Sequence, residues 1–213
     1  MNISQWLYLF IAELKEISLI EWLGVGFGVA EVLFAKANNI WLYPCGIISV
    51  ILSSYIFIIS GLYAESLLNV YYLVMSIYGW WIWIKRKGEP PLAVNWSSKR
   101  DWLITTAIVV ASFVILYFAL SRFTNSTVPV WDAWVSATAW AGMWLLAKRK
   151  IENWILLNIS NAFAVPLLLY KHLPLYALLT VFLFIVAVQG FFKWKKIAEG
   201  NKNQSKSFTL YSS

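Results

Sequence analysis

Seven long apolar stretches, separated by short polar ones, run along the chain at residues 18–35, 40–60, 67–84, 102–121, 128–147, 153–170 and 173–192. Each approaches the roughly 20 residues that an α-helix needs to cross the hydrocarbon core of a bilayer. The stretches at 40–60 and 67–84 hold no charge, whereas 18–35 carries Glu21 and Glu31, and 128–147 carries Asp132 near its start. Lipid gives backbone amides no partner, so segments of this length satisfy them internally, as helices. The pattern therefore predicts an all-α integral membrane protein with seven transmembrane helices. Residues 1–17 are apolar but lack the basic region and small-residue cleavage site of a signal peptide. They are expected to form a short interfacial segment.

Composition narrows the class. Hydrophobic residues make up 61% of the chain and charged ones 13%, against about 25% charged in a soluble domain. The net charge of +7 sits in short basic clusters between apolar runs, which argues against nucleic acid as a partner. If the loop after the third helix is cytoplasmic, only Lys15, Arg122 and Lys171 of the 17 Lys and Arg face outward. Basic loops stay on the cytoplasmic side, so the N-terminus is expected outside and the C-terminus inside, ending in a polar tail that is disordered from residue 199. Cys45 lies within an apolar run and reads as a small core residue; His172 sits in a short loop. No Cys or His pair has metal-ligand spacing, so no metal is expected. Neither a phosphate loop nor an acid–base–nucleophile constellation is present, so neither a cofactor nor an enzymatic activity is expected.

The third and seventh stretches begin and end alike. Leu62-Tyr63-Ala64 matches Leu175-Tyr176-Ala177, and Gly79-Trp80-Trp81 matches Gly190-Phe191-Phe192. The first and fifth both end in Ala-Lys, at Ala35-Lys36 and Ala147-Lys148, and a Trp follows each, at Trp41 and Trp154. These matches predict two copies of a three-helix unit, 18–84 and 128–194. Between them lie a cytoplasmic loop and a linker helix at 85–127; residues 195–213 form the cytoplasmic tail. Such a 3+1+3 plan with parallel repeats is the arrangement of SWEET-like transporters, whose substrate site lies near the midplane between the repeats.

Polar groups at membrane depth are costly, and each is a candidate for contact with a substrate. Glu31 lies within a turn of the inner end of helix 1; the alternative is that it snorkels toward the interface or pairs with Lys36. Glu21 and Asp132 lie near outer helix ends and read as interfacial. Asn158 and Asn161 share a face of helix 6, with Trp154 on the same stripe. Asn69, Tyr72, Ser76 and Trp80 follow one another at helical spacing along helix 3, and Gln189 is a weaker candidate. Among Trp134, Trp140 and Trp144 of helix 5, Trp140 is too deep for an interfacial anchor, and its indole face suits a flat, cationic ring. Trp144, its neighbour four residues on, has an anchoring role open to it as well. Pro44 and Pro166 each remove a helix hydrogen bond and permit bending. Gly24, Gly26 and Gly28 permit close helix approach.

The run Asn69-Val70-Tyr71-Tyr72-Leu73-Val74-Met75 through Tyr78-Gly79-Trp80-Trp81-Ile82-Trp83 resembles the PnuC family of bacterial vitamin transporters. So do Trp140-Ala141-Gly142-Met143-Trp144, Lys150-Ile151-Glu152-Asn153-Trp154 and Pro44-Cys45-Gly46-Ile47-Ile48-Ser49. The resemblance spans residues 21–194. It implies a SWEET-like bundle in the bacterial cytoplasmic (inner) membrane, with facilitated diffusion of a small vitamin precursor that a cytoplasmic kinase then phosphorylates and traps. By position it implies stacking by Trp140 and a pocket lined by Asn69, Tyr72, Asn158 and Asn161. It leaves room for a homo-oligomer. Nicotinamide riboside and thiamine are both flat cations. A carboxylate at Glu31 can accept from an aminopyrimidine and offset a thiazolium charge, so thiamine (the PnuT-like branch) is the expected substrate and nicotinamide riboside the alternative. A receptor that binds the vitamin without moving it is the alternative from another class.

Overall fold

A computed structural model describes residues 8, 11, 14, 18–59, 63–85, 93–124, 126–171 and 173–211. Most of the N-terminal interfacial segment, Leu62, and the loop residues Arg86, Lys87 and His172 lie outside the described residues. Seven helices follow one another among the described residues: α1 (Leu19–Lys36), α2 (Leu42–Ile59), α3 (Tyr63–Lys85), α4 (Lys99–Phe123), α5 (Pro129–Ala147), α6 (Asn153–Tyr170) and α7 (Pro174–Tyr211). By length and apolarity, α2, α4, α6 and the Tyr176–Gly200 part of α7 are each able to cross a membrane. The other three are less apolar for visible reasons: α1 carries Glu21, Glu31 and Lys36, while α3 and α5 are dense in Trp and Tyr or hydroxyl groups.

Local chemistry fixes the helix starts. The Ser18 hydroxyl accepts from the Glu21 amide at 3.2 Å, and the Glu21 carboxylate accepts from the Ser18 amide at 2.6 Å. This capping box gives Glu21 a structural role. Ser98 and Asp101 form the same box at the start of α4, so that helix begins ahead of the apolar run expected from residue 102. Pro44 falls in the first turn of α2, where its missing N–H removes no helix bond; it is not the bending point expected there. Pro166 does lie inside α6. The tail is also corrected: α7 continues as helix to Tyr211, because nothing between Trp194 and Tyr211 breaks it except a tolerated Gly200.

Packing runs α1 on α2 and α7, α2 on α3, α3 on α5, and α5 on both α4 and α6, with α6 on α7. The two helix trios share their local contacts at a constant offset, the 111 residues that separate Asn38 from Arg149. Both of these residues take the left-handed backbone, with φ 56° and 54°, one residue past the cap of α1 and of α5 respectively. The Ser49 hydroxyl donates to the Gly24 carbonyl at 2.8 Å, and at the equivalent positions Ser160 donates to Val135, also at 2.8 Å. Tyr43 meets Trp83 edge-on at 5.7 Å between centroids; Trp154 meets Trp194 edge-on at 5.6 Å. Gly79 lies against the Tyr43 ring and Gly190 against the Trp154 ring.

These contacts correct the register read from the sequence. Tyr43, not Trp41, is the counterpart of Trp154: Trp41 is 59% exposed and Trp154 only 1%. The Ala-Lys and Leu-Tyr-Ala matches are out of step by one or two residues for the same reason. Matching identical letters misses a site that asks only for an aromatic ring.

At one end of the bundle the trios meet in a shared core of Ala35, Leu42, Tyr43, Leu146, Trp154 and Trp194, among others. Val94, from the segment before α4, is buried in it. That segment is sewn to the α5–α6 turn: the Ile151 amide donates to Asn95 at 3.1 Å, and the Ser97 amide and hydroxyl donate to the Glu152 carboxylate. Lys150 pairs with Asp101 at 3.1 Å.

Gly190→Ala would place a methyl 2.7 Å from the Trp154 ring, and overpacking of this kind costs about 1–3 kcal/mol. Thermal unfolding in detergent should show that loss, and Gly79→Ala a similar one. Asp101→Asn should lower thermal stability by about 0.5–2 kcal/mol, because it weakens both the cap on α4 and the pair with Lys150.

Candidate functional site

The groups singled out at membrane depth fall into three neighbourhoods. The first surrounds Glu31. This residue is half-buried and has no hydrogen bond or ion pair among the described residues. Its carboxylate lies against Gly46 of α2 and exerts an electrostatic influence on Tyr43, Cys45 and Tyr72. Lys36 is engaged elsewhere, donating to the Gln189 side chain at 2.5 Å, so the expected alternative of a Glu31–Lys36 pair is not formed. Cys45 is a buried free thiol, as its apolar setting predicts.

The second neighbourhood is an aromatic wall between α3 and α5. Tyr71 stacks on Trp140 with ring centroids 4.3 Å apart and planes at 16°, and its hydroxyl donates to the Trp140 carbonyl at 2.9 Å. Two turns along α3 and one along α5, Tyr78 lies parallel to Trp144 at 6.2 Å, and the Lys148 ammonium sits 4.3 Å from the Trp144 ring centre. The indole N–H groups of Trp134, Trp140 and Trp144 are all buried without a partner. Buried donors ordinarily find acceptors, so three open ones along a single helix mark a place where another molecule could supply them.

The third neighbourhood is on α6. The Asn158 Oδ1 is buried and unpartnered, and Asn158 lines a cavity of about 440 Å³ together with Trp154, Phe184 and Phe191. Asn161 and Asn69 are half-buried. Ser76, in contrast, is 2% exposed, and Trp80 packs against the shared core at the bundle's end; the structure does not bring these two together with the open polar groups. Asp132 reads as an end residue here too, accepting from Lys171 and Ser126 at 2.6 Å each.

Tyr71, Tyr78 and Gly46 were missed in the sequence. Tyr71 and Tyr78 are seven apart, two helical turns, and their spacing could have paired them with Trp140 and Trp144. The face traced through Asn69, Tyr72, Ser76 and Trp80 instead pointed to the neighbouring tyrosine.

An all-helical bundle with a stacking wall, open indole donors, an open amide oxygen and an unpaired carboxylate at membrane depth belongs to the class of multi-pass membrane transporters for small solutes. The sequence profile of the nicotinamide mononucleotide transporters matches residues 18–196, and the chain belongs to this family, the PnuC family. It is 24% identical over 205 residues to the nicotinamide riboside transporter PnuC of Escherichia coli (strain K12), covering 84% of this chain and 86% of that one. The PnuC of Shigella flexneri matches to the same extent. A crystal structure of the vitamin B3 transporter PnuC superposes with a TM-score of 0.69 at 23% identity, over 91% of this chain and 88% of the other. The bundle therefore has the fold of that transporter.

Tyr71→Phe keeps the stack but removes the hydroxyl that holds the Trp140 backbone, a hydrogen bond worth about 0.5–1.5 kcal/mol. Tyr71→Ala should cost more, by the roughly 0.5–1.5 kcal/mol of an aromatic pair and the buried area besides. Thermal unfolding of the two variants side by side checks the order.

Proposed function

We propose that the chain carries nicotinamide riboside across the bacterial inner membrane by facilitated diffusion. Its helices are read as a 3+1+3 plan of two parallel repeats with α4 as the linker, N-terminus outside and C-terminus in the cytoplasm. The observation that carries this reading is the similarity to nicotinamide riboside transporters over most of both chains. The expected thiamine substrate gains nothing from these relatives. The carboxylate that favoured it, Glu31, serves either cation.

The chemistry of the ligand fits the open groups. A pyridinium ring is flat and cationic, so it stacks well on an indole face; Tyr71 backs the Trp140 ring and fixes its tilt. The carboxamide of the ligand offers an N–H to Asn158 Oδ1 and a carbonyl to an indole N–H. Trp140, Trp144, Asn158, Asn161, Asn69, Tyr72 and Glu31 form the proposed contact set; Ser76 and Trp80 are assigned to packing. Phosphorylation by a cytoplasmic kinase would trap the product, since a charged phosphate has no comparable partner among these groups.

Calorimetry on the purified protein should show saturable binding of nicotinamide riboside and none of thiamine. Proteoliposomes enclosing a nicotinamide riboside kinase should accumulate the phosphorylated product. Trp140→Ala should weaken binding about tenfold or more, the equivalent of 1.4 kcal/mol or above. Binding of thiamine alone would overturn the substrate, and binding without uptake would leave a receptor.

A further inference from the structure

Four glycines among the described residues, Gly46, Gly79, Gly142 and Gly190, have no room for a side chain, because a neighbouring group fills the space. At Gly79 and Gly190 the neighbour is an aromatic ring, which is ordinary close packing. At Gly46 it is the Glu31 carboxylate: a methyl there would lie 2.5 Å from Oε1 and 2.6 Å from Cδ. The internal repeat shows what the same place holds when it serves packing alone. At the offset of 111 residues, Gly142 stands where Glu31 does and Leu157 where Gly46 does. The roles are reversed: the Leu157 side chain fills the space over Gly142, 2.9 Å from where a methyl would be. One trio thus closes this gap between its first two helices with an isobutyl group, the other with a carboxylate.

A carboxylate is a poor filler. At membrane depth it costs several kcal/mol unless a cation or donors meet it, and Glu31 has no hydrogen bond or ion pair among the described residues. The residue as a whole is half-buried. Tyr43, Cys45 and Tyr72, which feel its charge, carry no positive charge to balance it.

We propose that Gly46 is a positioning residue that seats the Glu31 carboxylate against the start of α2, and that the seated carboxylate makes the pocket select a substrate with a fixed positive charge over a neutral molecule of the same shape. The selectivity rests on the substrate reading above; the seating does not. The experiment compares nicotinamide riboside with its 1,4-dihydro form, which keeps the ribose and carboxamide but is uncharged. The full-length protein should bind the cation at least about tenfold more tightly. Glu31→Gln, which keeps the shape, and Gly46→Ala, which displaces the carboxylate, should each bring the two affinities to within about threefold. An unchanged preference in both variants would overturn the selectivity. Thermal unfolding tests the seating without a ligand: the loss in Gly46→Ala should be relieved when Glu31→Ala is added, and additive losses would overturn it. If the wild type binds neither form, the substrate reading and the selectivity fall together, and the unfolding data alone decide whether Gly46 seats Glu31.

Discussion

The bundle depends on one cation. Arg149 is 4% exposed, its backbone is left-handed with φ 54°, and its guanidinium lies 3.3 Å from the centre of the Trp83 ring. It also donates to the Asn38 side chain at 2.7 Å. Trp83 and Asn38 belong to the first trio and Arg149 to the second, so this residue ties the two together. In a bilayer the tie matters more than in water, because lipid tails compete with apolar side chains and helices associate through packing and polar contacts. A desolvated cation–π contact is worth about 2 kcal/mol or more. Burial pushes the Arg149 pKa down, and the nearby Tyr43 hydroxyl acts the other way; at about 10 the group stays charged near neutrality. Trp194 adds a second tie, its indole donating to the Ala35 carbonyl at 3.0 Å.

The ties converge on positions that match across the trios: Asn38 and Arg149 stand 111 residues apart, the offset at which other contacts recur, and they touch directly. Their shared left-handed backbone turns the chain sharply enough for α2 and α6 to pack back on α1 and α5. The strain of a non-glycine residue in that region, about 1–2 kcal/mol each, is offset by what it positions: a buried guanidinium in one trio and its acceptor in the other.

Much of this was legible in the sequence and some was not. Apolar runs of near-membrane length located all seven helices, since in lipid there is no competing backbone solution. Their ends were set instead by individual side chains such as Ser98 and Asp101, and the helical tail had no apolar signal to announce it. Matching letters suggested a repeat but missed the offset of 111 residues at which contacts recur, because Tyr43 and Trp154 fill one role with different letters. Trp140 stood out by depth. Its partner Tyr71 did not, because which of two adjacent tyrosines meets α5 depends on how the helices rotate about their axes. The contact between Gly46 and Glu31 is tertiary throughout, and no spacing rule links positions on two helices.

The same offset separates the scaffold from the proposed contact set. Where the two trios keep their chemistry, the residues hold the fold: Gly79 with Gly190, Trp83 with Trp194, Ser49 with Ser160, an aromatic ring at Tyr43 and Trp154. Where they diverge, the groups left open appear: Trp140 answers to Val29, Asn158 to Ile47, Glu31 to Gly142 and Tyr72 to Leu183. A small molecule with one cationic ring and one polar end has no two-fold symmetry. A symmetric cage would offer each end the same groups and orient it no better than its reverse. Binding such a molecule in one orientation therefore requires the repeats to differ at the positions that touch it while matching at those that hold them together. The open indoles and the open amide lie in the second trio and the carboxylate in the first, the division that the proposed ligand, a flat ring with distinct ends, requires.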